Sequence, residues 1–343
     1  MWKRYTRTVG VIGAIYLATL FPQAKADSLA DFYKGKQVIV YIGYAVGGGY
    51  DLYGRLVARH IGRHLPGNPT VVPQNMPGAG SLRLANYLFT VAPKDGTVMG
   101  TITQSTPQEE ALGTPGITYR SAEFNWIGRV TSNVEMNVVW NTWGIRSIAD
   151  AKTREVVLAG TGPTTPSEVF PKVLNGVVGT KFKVIAGYGG SAEGVLAMER
   201  GETMGALLSW ASMKASKQDW IRENKVTILV QYAMQRHPDL PNVPTIVDLG
   251  ETEADRKILS LYASGADIGR AIVAPPKVPA ERVTALRSAF DAMLKDRRFL
   301  EEIEKANLEF DPMSGEKLQK LVVQSTNIPP ELLERAKAVR NVP

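Results

Sequence analysis

The chain has 343 residues, of which 44% are apolar and 21% charged, with no cysteine and a formal net charge of +7. That is an ordinary globular composition, long enough for a full core and for two domains. The excess of basic residues is too small and too dispersed for a nucleic-acid partner, and without cysteine no lipid can be attached through a lipobox.

The first 26 residues read as a signal peptide. Lys3, Arg4 and Arg7 supply a basic start, residues 9–21 an apolar core, and Ala24-Lys25-Ala26 small residues at −3 and −1. The apolar core falls short of the roughly 20 residues that a spanning helix requires. Cleavage after Ala26 and export to the periplasm are therefore expected, in preference to an N-terminal anchor. Losing Lys3, Arg4, Arg7 and Lys25 takes the net charge from +7 to +3.

Residues 38–42, Val-Ile-Val-Tyr-Ile, are an apolar run rich in β-branched side chains, the pattern of a buried strand. Tyr44, Ala45 and Val46 lead into Gly47, Gly48 and Gly49. Tyr50 and Asp51 then open a helical pattern with apolar Leu52, Tyr53, Leu56, Val57, Ile61 and Leu65. Strand, glycine loop and helix N-terminus in that order make an anion cradle, because glycine lets several N–H groups converge where the helix dipole is positive. A second such loop, Asn75-Met76-Pro77-Gly78-Ala79-Gly80-Ser81, follows a short strand at 70–73 and opens a helix through 84–88. On neighbouring parallel strands the two loops would end side by side. A strand at 97–103 brings Gln104 and Ser105 level with them.

A second α/β unit begins near Val134, with strands at 155–159, 183–186, 204–208 and 226–232 and helices at 167–178, 192–200 and 211–223. Its loops carry Thr161, Gly162, Thr164 and Thr165, then Tyr188, Gly190 and Ser191, and Ser209 follows the third strand. Hydroxyls at such positions serve equally as helix caps or as ligand donors. Ser191 is favoured as a ligand contact, and the threonines remain open. Asp51, near a helix start, is better suited to capping backbone donors than to touching a ligand. A Pro-rich connector at 237–244, a helix at 251–263, a strand at 270–273 and a helix at 279–295 follow.

Enzyme readings are weak. Gly190-Ser191 sits as a nucleophile elbow would, but Gly189-Gly190-Ser191-Ala192-Glu193 lacks the last glycine of G-x-S-x-G. An exported serine hydrolase using Ser191 is the alternative, with only His60, His64 and His237 as bases. His60 and His64 share a helix face, yet no further ligand completes a metal site. Neither G-x-G-x-x-G nor G-K-[ST] is present for a nucleotide.

Six collinear motifs carry a resemblance. They are Gly43 through Asp51; Asn75 through Ser81; Asp95-Gly96-Thr97-Val98; Ile185 through Ser191; Leu240-Pro241-Asn242-Val243-Pro244-Thr245; and Ile272 through Pro279. Together they resemble the solute-binding receptors of the tripartite tricarboxylate transporters, the Bug family. Tyr44 and Val46 stand where that family has Phe and Pro, Tyr50 where a small residue is common, and Gly187 and Gly189 where Pro and Lys flank the tyrosine.

The resemblance implies an α/β fold: a type II periplasmic-binding-protein clamp of two domains, each a mostly parallel sheet flanked by helices. Domain one would be 27–130 with 249–343, and domain two 131–248. It also implies a small carboxylate-bearing ligand in the cleft, no cofactor or catalysis, a membrane permease as partner, and a monomer. The ligand would meet Tyr44 through Asp51, Pro77 through Ser81, Gln104 and Ser105 on one side. It would meet Thr161, Gly162, Thr164, Thr165, Tyr188, Gly190, Ser191 and Ser209 on the other. Its carboxylate would rest on backbone N–H groups of the two glycine loops with little recourse to arginine, the nearest in sequence being Arg55 and Arg83.

Overall fold

Two sheets divide the strands of the computed structural model, which describes residues 1–2 and 28–340. Residues 3–26 of the expected signal peptide and its cleavage point after Ala26 lie outside the described residues. The first half runs α1 (Leu29–Tyr33), β1 (Gln37–Ile42), α2 (Gly49–Ile61), β2 (Thr70–Asn75), α3 (Leu82–Thr90), β3 (Val98–Thr101), α4 (Thr106–Ala111) and β4 (Asn125–Arg129). The chain then crosses to β5 (Glu135–Trp140), α5 (Ile148–Thr153), β6 (Val156–Ala159), α6 (Pro166–Val178), β7 (Phe182–Ile185), α7 (Ser191–Glu199), β8 (Gly205–Ser209), α8 (Trp210–Ser216), α9 (Gln218–Arg222) and β9 (Val226–Tyr232). It returns through α10 (Glu253–Ala263) to β10 (Ala271–Ala274), α11 (Ala280–Met293), α12 (Arg297–Lys305), β11 (Met313–Ser314), α13 (Gly315–Ser325) and α14 (Pro330–Arg340).

The first sheet has the order β11-β4-β10-β3-β1-β2 and the second β7-β6-β8-β5-β9. Both are mixed where the sequence led to mostly parallel sheets. β1 lies parallel to β2 and β3, and β6 parallel to β7 and β8. β10 is antiparallel to β3 and β4, and β5 antiparallel to β8 and β9. The antiparallel pairings gather at β4, β5, β9 and β10, where the chain passes between the halves and no crossover helix returns it to the same sheet edge. Alternation in β1 buries Val38, Val40 and Ile42 completely, and Leu56, Val57 and Ile61 of α2 are buried with them. The single helix expected at 211–223 is two, broken at Lys217.

The two crossings lie side by side. Val130 N–H donates to Arg270 O (3.2 Å), Arg270 N–H to Thr131 O (2.9 Å) and Asn133 N–H to Ala266 O (2.9 Å). Gly269, at φ +62°, makes this approach possible, since a Cβ there would run into Thr131 O. Residues Ile258, Leu259, Tyr262 and Ala263 of α10 and Ala336 of α14 share a buried cluster with Val156, Leu158 and Leu174. By packing, both helices go with the second sheet, although they belong to the segment expected for the first domain. Among the described residues no helix is long and apolar enough to cross a membrane.

Candidate functional site

The N-termini of α2, α6 and α7 meet at one cavity of about 50 Å³ between the two sheets. Tyr44, Gly48, Gly49 and Tyr50 line it from the first half; Glu135, Thr161, Thr165, Pro166, Ser167, Ser191, Leu207 and Ser209 line it from the second; Arg270 enters from the second crossing. Each helix start brings a positive dipole end, and those of α2 and α7 bring unpaired N–H groups as well, so the cavity favours negative charge.

The first glycine loop is braced from within its own half. Asp51, only 4% exposed, accepts hydrogen bonds from Gly47 N–H (3.0 Å), Arg55 Nε (2.8 Å) and Asn75 Nδ2 (2.8 Å). Asn75 Nδ2 also donates to Tyr44 O (2.9 Å), and Arg55 Nη2 donates to Asn75 Oδ1 (2.6 Å). Burial alone would raise the Asp51 pKa, but the bonds from Arg55, Asn75 and Gly47 outweigh it and hold the carboxyl below the usual range. Asp51 therefore fixes the loop rather than facing the cavity. Gly49 is glycine because a Cβ would sit 2.5 Å from Ser212 Oγ and 2.6 Å from Arg270 Nη2.

Tyr44 and Tyr50 stack with ring centroids 4.7 Å apart, and the Arg270 guanidinium lies 4.0 Å from the Tyr50 centroid. The Tyr50 hydroxyl accepts the Gln104 N–H at 2.8 Å. Burial pushes both phenols above their ordinary range, so the stack stays neutral. Arg270 Nη2 donates to Ser209 Oγ (3.0 Å) and lies 3.9 Å from Glu135 Oε1, while Arg270 Nε has no partner among the described residues. Glu135 accepts from Asn133 Nδ2 at 2.6 Å. Burial raises its pKa, Arg270 and Asn133 pull it back, and the carboxyl remains above the ordinary value.

The second glycine loop meets the other half directly. Ala79, Gly80 and Ser81 all have positive φ, at 46°, 64° and 70°. A Cβ on Gly80 would run into Thr165 Cγ2, and one on Gly162 would lie 2.6 Å from Gly80 N. Thr164 Oγ1 donates to Ala79 O (3.2 Å) and Ser105 Oγ to Thr164 O (2.8 Å). Ser81 Oγ is occupied by the Thr103 N–H at 2.8 Å.

Of the residues chosen from sequence, Tyr44, Gly48, Gly49, Tyr50, Thr161, Thr165, Ser191 and Ser209 come together at the central cavity. Pro77, Gly78, Ala79, Gly80, Gly162 and Tyr188 border a separate outer space, and Gly47 borders a groove beside Leu52, Val195 and Leu196. Gln104 and Ser105 lie beneath, near Tyr262. Ala45, Val46, Asp51, Ser81, Thr164 and Gly190 line none of these; Ala45 N–H instead donates to Gly189 O (3.1 Å), and Val46 is 65% exposed.

Sequence reasoning missed Glu135 and Arg270. Little recourse to arginine was expected, with Arg55 and Arg83 the nearest in sequence; Arg55 turns back to Asp51 and Asn75, whereas Arg270 reaches the cavity from a distant segment. The available signal was a lone charge opening an apolar strand beside each crossing, Glu135 before Met-Asn-Val-Val and Arg270 before Ala-Ile-Val-Ala.

Ser191 has no base. His60 bonds Glu302 (2.6 Å), His64 bonds Asp296 (2.9 Å) and His237 lies 3.1 Å from Glu309, all away from the cavity. His237, Asp239 and Glu309 do cluster, but Lys214 Nζ lies 2.8 Å from Asp239 and 3.0 Å from Glu309, so an ammonium already bridges the two carboxylates.

Comparison with known proteins agrees with this architecture. A UPF0065 protein in the gbd 5′ region of Cupriavidus necator is 23% identical over 339 residues, covering 94% of this chain and 93% of that one. The periplasmic binding protein BugD superposes with a TM-score of 0.69 at 21% identity, covering 88% of this chain and 97% of its own. MatC of Rhodopseudomonas palustris, solved with bound malate, gives a TM-score of 0.68 at 18% identity, covering 89% and 99%. A second R. palustris protein, solved with adipate, gives 0.68 at 19% identity, covering 89% and 97%. The profile of the tripartite tricarboxylate transporter family receptors matches residues 54–336. The chain belongs to that family of solute-binding receptors.

Proposed function

We propose that the protein is an exported receptor, cleaved after Ala26 and monomeric, that closes its two halves on a small carboxylate-bearing solute and delivers it to a tripartite tricarboxylate-type permease. One observation carries the reading: three helix N-termini and one buried arginine converge on one cavity between the sheets. Malate in MatC and adipate in the second R. palustris protein support a carboxylate as the ligand. The paired crossings at 130–133 and 266–270 act as the hinge, and Tyr44, Gly48, Gly49, Tyr50, Thr165, Ser191 and Ser209 as contacts, with Arg270 added.

A thermal-shift screen over carboxylic acids tests it. A true ligand at a hundred times its Kd stabilises the folded state by about 2.7 kcal/mol, and small-angle scattering should show the molecule contract on binding. A screen in which no acid raises the unfolding temperature, or saturation without contraction, contradicts the proposal.

A further inference from the structure

Glu135 and Arg270 are the two charged residues at the central cavity, and both side chains are buried, at 11% and 4% exposure. They face each other as an ion pair with no hydrogen bond between them. Their nearest approach is 3.9 Å, beyond hydrogen-bond reach. Arg270 spends one Nη2 donor on Ser209 and leaves Nε without a partner among the described residues. Glu135 holds the Asn133 amide. A buried pair kept apart in this way retains binding capacity on both charges.

A ligand that is only an anion is well served by the helix ends and by Arg270, but it must lie in the same small space as a buried carboxylate. In a low-dielectric cavity that repulsion is large. A ligand carrying an ammonium beside its carboxylate removes the conflict and matches the neutral sum of the two side chains. The stacked Tyr44 and Tyr50 narrow the space and offer neutral rings to a short carbon stem. We infer that the ligand class is a small amino-carboxylate, its carboxylate on the α2, α6 and α7 N-termini and Arg270, its protonated amine on Glu135. This rests on the receptor reading above and narrows it.

Matched pairs that differ only in the amino group test the inference: alanine with propionate, aspartate with succinate, glutamate with glutarate, titrated into the exported protein by calorimetry. In the tightest-binding pair the amino acid should bind at least about 30-fold better than its desamino partner. Glu135→Gln should erase that preference and leave the desamino acid bound as well as before or better. Wild-type protein should also take up a proton with the desamino acid, whose charge drives Glu135 to protonate, and none with the amino acid; repeating the titration in buffers of different ionisation heat reads this without any variant. Equal affinities within the tightest pair, equal proton uptake, or a Glu135→Gln variant that weakens both members alike would overturn the amine assignment. Tight binding of a desamino acid alone sinks this inference and spares the receptor reading. Failure of every carboxylate to bind sinks both.

Discussion

The two glycine loops look alike in sequence and do different work. Gly47-Gly48-Gly49 is fastened inside its own half by Asp51, Arg55 and Asn75, and it presents the α2 N-terminus to the central cavity. Gly78-Ala79-Gly80-Ser81 takes a left-handed path and meets the second half instead, accepting Thr164 at Ala79 O and lying under Thr165 at Gly80. In the first loop, missing side chains make room for Arg270 and Ser191; in the second they let the two halves touch. Glycine after a strand is therefore an invitation to close approach, and the approaching group must be found in space.

The most damaging test of this contrast is a methyl group at Gly80. Gly80→Ala puts Cβ against Thr165 Cγ2 and holds alanine at φ +64°, so closure should be disfavoured and ligand affinity should fall by about 100-fold. Thr165→Ser removes the offending methyl and should recover part of that loss in the double variant. Calorimetry measures both. If Gly80→Ala binds like wild type, the second loop is not the closing contact, and the distinction between the loops collapses.

A smaller effect is expected at Arg270, the side chain that only the three-dimensional arrangement brings to the first loop. A hydrogen bond to a charged group contributes about 1.5–3 kcal/mol, so Arg270→Gln should weaken carboxylate binding by roughly 10- to 100-fold. Circular dichroism should show the variant folded. Unchanged affinity in folded protein would return the whole anchoring role to the helix N-termini.

Much of the fold was legible because periodicity and glycine placement are local. The strand expected at 226–232 is β9 as observed, and β1, α2, α6 and α7 begin or end within a residue or two of their sequence-derived limits. Strand direction was not legible: β10 reads as an apolar run whether it lies parallel or antiparallel to β3. Nor was the burial of α10 against the second sheet, since an amphipathic face does not name its partner. The candidate site divides in the same way. Its backbone cradles were visible as strand-glycine-helix turns, whereas Glu135 and Arg270, 135 residues apart in the chain, meet only because the two crossings pair side by side.

The smallest effect separates bracing from binding in the first loop. Asp51 makes all its observed bonds to its own half, so Asp51→Asn should loosen the loop and lower stability without reversing any ligand preference. The sign of its pH dependence follows from its depressed pKa. A carboxyl whose folded pKa lies below its unfolded value stabilises the native state above the unfolded value, about pH 4, and that contribution is lost as pH falls through the folded value. Wild type should therefore be more stable than Asp51→Asn at pH 7, and the gap between their urea midpoints should narrow below about pH 4. A gap that stays constant down to pH 3 would mean that the charge of Asp51 contributes nothing to holding the loop. A variant that keeps full stability but loses ligand at pH 7 would place Asp51 in the site itself, and the two loops would then differ less than their hydrogen bonds indicate.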